Sequence, residues 1–250
     1  MVALNHADFL ALWETGHRLH PLDRGLLVIQ ASLPADAQES PVADWPLGRR
    51  NRALAELRTL YFGPRLEGWT VCTECGEKLE FELDCRALAE TPEPAACQRI
   101  SVHGSSFRLP TSRDLARIAS EADPSQAAIL LLESCAIESE NNPAVVEGER
   151  ETKLAAIRSW TPERIDAVAE KMSEADPLAE ISLGFDCPLC HHTSKETLDL
   201  ASFLWTEIET RARRLLSDVH ALASAYGWTE AVILALSDVR RSTYLQMVQA

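Results

Sequence analysis

Two stretches of the sequence place apolar residues at every second position. In residues 78–83 and again in residues 180–185, an apolar side chain alternates with a polar or small one. A period of two is typical of half-buried β-strands. A Cys-x-x-Cys segment, Cys72–Cys75 or Cys187–Cys190, adjoins each stretch. The pattern therefore predicts two strand–turn–strand units with a cysteine pair in each turn.

Apolar residues elsewhere recur every three or four positions, which predicts helices. Among the first sixty residues, one helix follows the cap residue Asn5, a second begins at Pro21, and a third runs from about Arg49 to Gly63. Residues 34–45, rich in Pro, Ala, Asp and Ser, predict an exposed connector.

The region between the cysteine pairs predicts a hairpin that turns at Gly104 and helices that start after Thr111, Asp123 and Thr161. Residues 138–150 predict a loop. Beyond Leu200 the chain predicts one long helix and two short ones. The apolar face of the long helix consists of Leu204, Ile208, Ala212, Leu215, Val219 and Leu222.

These elements together predict a mostly helical α+β fold. A split zinc-ribbon-like β unit carries a long helical insertion and is flanked by helices. The predicted regions are an N-terminal helical region (1–66), the split β unit (67–90 plus 178–198), a hairpin and helical insertion (91–177), and a C-terminal helical region (199–250).

Composition narrows the function classes. The 250 residues carry a formal net charge of −14, which opposes binding to a phosphate backbone, so we expect no nucleic-acid partner. No run of about 18 apolar residues is present, so we expect no membrane span. The first residues lack a basic and apolar leader, and the seven cysteines are odd in number. Both features favour a cytoplasmic protein with reduced thiols.

Three arginines, Arg49, Arg50 and Arg52, lie at the start of the third predicted helix. The helix dipole mildly disfavours cations there. We predict a solvated helix face that pairs with acidic residues elsewhere, and the alternative is a docking patch for an acidic protein surface.

The two cysteine pairs supply four thiolates, a complete ligand set for structural zinc. We therefore predict a zinc ion held by Cys72, Cys75, Cys187 and Cys190. Closing the long loop between the pairs costs about 4 kcal/mol. Structural zinc contributes roughly 10–16 kcal/mol in small peptides, so the gap does not exclude the site.

Three alternatives to zinc ligation are open for these cysteines: buried thiols without a metal, a redox pair, or a fold that has lost its metal. A redox pair is disfavoured because thioredoxin-like motifs start a helix, and these pairs adjoin strands. We predict that the neighbouring His191 and His192 are exposed residues of the turn. We predict that the other cysteines are buried and act as small apolar residues; they are Cys85, Cys97 and Cys135.

No catalytic motif accompanies the cysteines. A catalytic zinc keeps one position open, whereas four cysteines fill a tetrahedral site. Phosphate-binding loops, H-E-x-x-H and G-x-S-x-G are absent from the sequence. We predict that His103 and His220 are structural or surface residues, that Glu138 and Glu140 are solvated, and that the protein is not an enzyme.

An ordered set of short motifs resembles a known protein family. The motifs are Leu47-Gly48-Arg49-Arg50-Asn51, Phe62-Gly63-Pro64, Cys72-x-x-Cys75-Gly76, Arg108-Leu109-Pro110-Thr111-Ser112-Arg113-Asp114-Leu115, Cys187-Pro188-x-Cys190, Leu204-Trp205, Tyr226-Gly227-Trp228 and Arg240-Arg241-x-x-Tyr244. The family comprises baseplate and tail-assembly proteins encoded with contractile phage tails and phage-tail-like injection systems.

The resemblance implies a non-enzymatic structural or chaperone-like assembly protein that contacts baseplate, hub or spike proteins. It leaves two forms of this role open: a small component that is incorporated into a phage-tail-like particle, or a chaperone that acts only during assembly. Two alternatives are a cytosolic zinc-ribbon adaptor that binds an unrelated protein and a hydrolase with its site in the insertion.

Overall fold

The computed structural model describes residues 1–34, 40–93, 98–102, 104–137, 152 and 154–249. Its helices are α1 (His6–Gly16), α2 (Pro21–Ser32), α3 (Leu47–Phe62), α4 (Cys85–Ala89), α5 (Ser112–Ile118), α6 (Pro124–Cys135), α7 (Pro162–Ala175), α8 (Leu200–Tyr226), α9 (Glu230–Leu234) and α10 (Asp238–Gln249). Its strands are β1 (Arg65–Val71), β2 (Lys78–Asp84), β3 (Arg99–Val102), β4 (Ser105–Arg108), β5 (Ser182–Asp186) and β6 (Thr193–Thr197). The described residues confirm a mostly helical α+β fold with small antiparallel hairpins.

Local capping explains where the N-terminal helices begin and end. The Asn5 side chain accepts a hydrogen bond from the Asp8 amide at 2.9 Å and caps α1. Pro21 occupies the first turn of α2, where a missing amide donor costs nothing. Gly63 ends α3 with a φ of +87°, a conformation that side chains with a Cβ rarely adopt.

The long helix α8 organises the main core. It contacts α1, α2, α3, α9 and α10, and its predicted apolar face is buried apart from the half-buried Val219. The partners on the other helices include Phe9, Ile29, Leu54 and Leu57, all buried. Residues far apart in sequence therefore share one apolar cluster.

Arg58 links α3 to α8 and to the start of β1. Its guanidinium donates to both carboxylate oxygens of Glu207, at 3.1 and 2.9 Å. It also donates to the carbonyl oxygens of Gly63 and Arg65, at 2.5 and 2.6 Å. These four bonds compensate for the burial of the charge.

The strands form three separate two-stranded antiparallel sheets, β1–β2, β3–β4 and β5–β6. The alternation predicted for β2 appears as a buried-and-exposed pattern with Leu79 inside. The β3–β4 hairpin turns at Gly104, whose φ is +77°. This glycine turn is confirmed, and it places Phe107 in a second apolar cluster.

The second cluster lies within the chain between the cysteine pairs. It combines Phe107, Leu132, Cys135, Ile157 and Val168, all buried. The main cluster consists of other residues, drawn from the two ends of the chain and from positions beside the β hairpins. The boundaries of the four regions stay a prediction.

A buried polar contact joins the end of this inserted region to the start of α3. The Gly48 amide donates to Oδ2 of Asp176 at 2.8 Å, and the Asn51 side chain donates to the Leu178 carbonyl at 2.8 Å. Asp176 is 1% exposed, and burial raises its pKa against the opposing effect of the Gly48 amide. The chain therefore returns to α3 just before β5 begins.

Two predictions for the N-terminal half are wrong. Residues 35–39 of the predicted connector lie outside the described residues. In the described part, the predicted exposure is wrong for Val42 and Trp45, which are 4% and 3% exposed and join the main core. The three arginines are not a solvated face, because Arg50 is buried and contacts Asn51 and Ser112. Burial lowers the pKa of Arg50 despite the attraction of Asp199.

The other two arginines of this cluster have partners. Arg49 pairs with Glu93 at 2.8 Å and stacks on Trp45, with its guanidinium carbon 4.0 Å from the ring centre. Arg52 lies 3.6 Å from Glu56 on the same helix. The predicted pairing with acidic residues elsewhere in the chain is therefore confirmed for Arg49, whereas Arg52 pairs within its own helix.

Several predicted positions lie outside the described residues. They are His103, Cys97, Glu138, Glu140 and the loop over residues 138–150.

The helix predicted to start after Thr111 is confirmed as α5, and it begins with a capping box that centres on Asp114. Arg108 donates to both oxygens of this carboxylate, at 2.6 and 2.8 Å. The Thr111 amide and hydroxyl each donate to it at 2.8 Å. Burial alone would raise the pKa of Asp114, but these donors lower it from 3.8 to about 2.

We expect Asp114→Asn to lower the free energy of unfolding by roughly 2 kcal/mol at neutral pH, because each pKa unit corresponds to about 1.4 kcal/mol. Because the pKa of Asp114 is lower in the folded protein, its ionised carboxylate stabilises the fold fully above pH 3.8. This contribution is lost as the pH falls towards 2. Urea unfolding of both proteins across this pH range checks it. The exposed Asp166→Asn is the control, and a deficit that stays constant down to pH 2 contradicts the electrostatic origin.

Candidate metal centre

The two cysteine pairs lie in hairpin turns of the same form. In the first hairpin Val71 pairs with Lys78, and in the second Asp186 pairs with Thr193. The first cysteine of each pair follows the strand directly. Its amide donates across the turn, from Cys72 to the Glu77 carbonyl at 2.8 Å and from Cys187 to the His192 carbonyl at 2.9 Å.

A second hydrogen bond closes each turn. The Gly76 amide donates to the Cys72 carbonyl, and the His191 amide donates to the Cys187 carbonyl, both at 2.9 Å. Gly76 has a φ of +74° and His191 a φ of +60°. In the first turn a glycine occupies this left-handed position, which glycine adopts without strain. In the second turn a histidine occupies it, so no glycine marked the position.

The four sulfur atoms converge where the hairpins meet. The Sγ atoms of Cys72 and Cys190 are 3.6 Å apart, and those of Cys75 and Cys187 are 3.5 Å apart. All four lie within 4.8 Å of one another. A tetrahedral zinc ion with Zn–S bonds of about 2.3 Å requires sulfur separations of roughly 3.8 Å. The donor set therefore fits a zinc ion.

Backbone amides favour thiolates at the first cysteine of each pair. The amides of Cys75 and then Glu74 lower the pKa of Cys72. The amides of Cys190 and Leu189 lower the pKa of Cys187 to about 7, against the opposing effect of burial. Amides directed at the sulfurs are what a thiolate ligand needs.

The second cysteines show the opposite shift. The Glu77 amide favours the thiolate of Cys75, but burial and the three neighbouring thiols raise its pKa to about 12. The pKa of Cys190 is also raised, despite the favourable amide of His192. Four thiolates in contact repel one another, and a divalent cation relieves that repulsion when it binds.

An apolar contact beneath the sulfurs holds the hairpins together. The rings of Phe81 and Phe185 meet edge to face with their centres 5.8 Å apart. Leu79 is buried beside Cys72 and Cys187 in the same small cluster. The alternating residues predicted for the strands therefore set the distance between the cysteine turns.

The structure brings together the four predicted cysteines and leaves the other candidates apart. Cys85 and Cys135 are fully buried in the main and second apolar clusters. Burial raises the pKa of both thiols, that of Cys135 to about 12. His191 and His220 are exposed, as predicted, while His192 is half-buried. Four sulfur ligands complete a tetrahedral sphere, which is the arrangement of structural sites.

In the part of the chain that the structure describes, no helix is both long enough and apolar enough to cross a membrane.

A comparison with known protein families gives a match over most of the chain. The family model described as T4 bacteriophage base plate protein matches residues 28–205, which include both cysteine pairs and the insertion between them. Neither the curated proteins nor the solved structures contain a match.

Proposed function

Because the chain belongs to the T4 bacteriophage base plate protein family, we propose that it is a non-enzymatic component or assembly chaperone of a phage-tail-like baseplate. Family membership implies a structural role in the baseplate. The family match over residues 28–205 is the observation that carries the proposal. A closed set of four sulfur donors agrees with a structural role.

In this proposal a structural zinc ion is bound by Cys72, Cys75, Cys187 and Cys190. The sulfur separations and the amides directed at the sulfurs support this assignment. The ion would supply coupled folding energy at this site. The cysteine turns and the aromatic contact then orient the inserted region relative to the helices around α8.

The partners in this proposal are other baseplate proteins, including hub and spike subunits. The chain would contact these partners through its surface, because four cysteines fill the metal site and leave no position open for a partner. A large negative net charge favours protein partners over nucleic acid. The protein would act in the cytoplasm, where such particles are assembled, and would either enter the particle as a small component or leave it after assembly.

We expect an affinity-tagged chain, expressed in the producing cell, to co-purify with named baseplate or spike subunits. Mass spectrometry of the eluate, compared with a tagged unrelated acidic protein, checks this. Recovery of the subunits only from assembling cells, and not from purified particles, would favour the chaperone form of the role. A chain that retains none of them in assembling cells contradicts the proposal.

A further inference from the structure

A groove of about 590 Å³ lies between the end of α3 and the helices α8 and α10. Its apolar wall includes Tyr61 and Phe62 from α3 and Leu215 from α8. This volume is in the range of sites that bind small molecules or a few side chains of a peptide. The family match ends at residue 205, so one wall lies inside the matched region and the other walls lie beyond it.

The acidic residues of the groove are already paired with arginines of the same chain. Glu207 receives the two hydrogen bonds from Arg58, and Asp218 lies 3.1 Å from Arg241. Asp238 also pairs with Arg241. Arg241 is shared between Asp218 and Asp238, so the groove keeps some negative charge of its own beside these two carboxylates.

Two arginines of the groove lack such a partner. Arg211 donates to the Tyr61 carbonyl at 3.2 Å, and its guanidinium carbon lies 5.0 Å from the centre of the Phe9 ring. Arg214, one turn further along α8, is exposed. Among the described residues, no carboxylate lies within 4 Å of either guanidinium. Arg211 still attracts Asp238 at longer range: burial opposes the charge of that carboxyl, but Arg241, His6 and Arg211 together lower its pKa.

Guanidinium groups bind carboxylates through paired hydrogen bonds, and the adjacent rings offer apolar contact. We propose that this groove, lined by Arg211 and Arg214, binds a segment of a partner protein that carries an apolar side chain next to an aspartate or glutamate. The partner class rests on the proposed baseplate function. The charge argument for an acidic, apolar segment rests on the groove alone.

A phosphate backbone is the less favourable occupant. It would bring repeated negative charges close to Glu207, Asp218 and Asp238 and to the acidic surface of the whole chain. A short peptide places one carboxylate between the two arginines and its apolar side chain against the rings.

The test uses the full-length chain and short overlapping peptides that cover the baseplate proteins encoded in the same genome, with binding measured by fluorescence anisotropy. We expect the bound peptides to share an apolar residue beside Asp or Glu. Arg214→Glu should weaken their binding at least about tenfold, because it replaces an attraction by a repulsion. Arg214 is exposed, so this variant should remain folded, which circular dichroism checks.

The matched control is Arg213→Glu, because Arg213 is exposed on the same helix, pairs with Glu209 and does not line the groove. An equal loss of peptide binding in both variants would mean that only the net charge of the chain matters, and it would overturn the proposal. Binding of basic peptides, of a single-stranded oligonucleotide at the groove, or of no peptide would also overturn it. If baseplate subunits still co-purify with Arg214→Glu, the groove proposal fails alone and the proposed function stands.

Discussion

Replacement of Cys187 by serine is expected to release the metal and to unfold the two hairpins at the cysteine site. Cys187 is 1% exposed, and its Sγ lies 3.5 Å from that of Cys75. The aromatic contact between Phe81 and Phe185 is worth only about 1 kcal/mol beyond its burial, whereas structural zinc contributes roughly 10–16 kcal/mol in small peptides. Zinc coordination is therefore a larger contribution than the aromatic contact, and loss of one thiolate should remove much of it.

Metal analysis of the native, reduced protein should give about one zinc ion per chain, and Cys187→Ser should give far less. The midpoint temperature of thermal unfolding should be the same with and without a chelator for the variant, whereas a chelator should lower it for the parent. The matched control is Cys85→Ala, which removes a buried thiol from the main core and should retain the zinc. A parent protein without metal, or a variant with the metal content of the parent, contradicts the assignment.

Replacement of Gly48 by alanine is expected to destabilise the protein by about 2–4 kcal/mol. A Cβ at this position would lie 1.7 Å from Oδ1 of Asp176, so the carboxylate must move away. That movement breaks the bond from the Gly48 amide and leaves a buried acidic group without its donor, at a cost of about 3 kcal/mol or more because the group can carry a charge. The gain in helix propensity is only about 1 kcal/mol.

Chemical denaturation of the purified variant measures this loss. Gly184→Ala is the matched control, since nothing lies within 4 Å of a Cβ built there. Its effect should stay within about 0.5 kcal/mol. Similar stabilities for the two variants would mean that Asp176 has space to move and that its contact with α3 contributes little.

The local patterns of the sequence predicted most of the elements. The alternation beside the cysteines corresponds to β2 and β5, and the predicted caps Asn5, Thr111 and Asp123 precede α1, α5 and α6. Such signals lie within a few residues of the element that they start, so a single sequence shows them. The cysteine pairs were equally visible because their spacing within each turn is local.

Contacts between distant residues were not predicted. The burial of Arg50 depends on Ser112, and the role of Gly48 depends on Asp176. Neither pair shows a periodic or spaced pattern in the sequence. The composition of residues 34–45 predicted exposure, but Trp45 is buried against helices that come from elsewhere in the chain. Charge counts likewise did not reveal that the acids of the groove are paired internally.

The position of α8 in the chain has a consequence for biosynthesis. The apolar faces of α1, α2 and α3 are completed by Leu200–Tyr226, which the ribosome makes only after the whole inserted region. Until then the N-terminal helices present uncovered apolar surface, and contacts of such long sequence separation form slowly. The nascent chain is therefore most vulnerable to aggregation before α8 emerges.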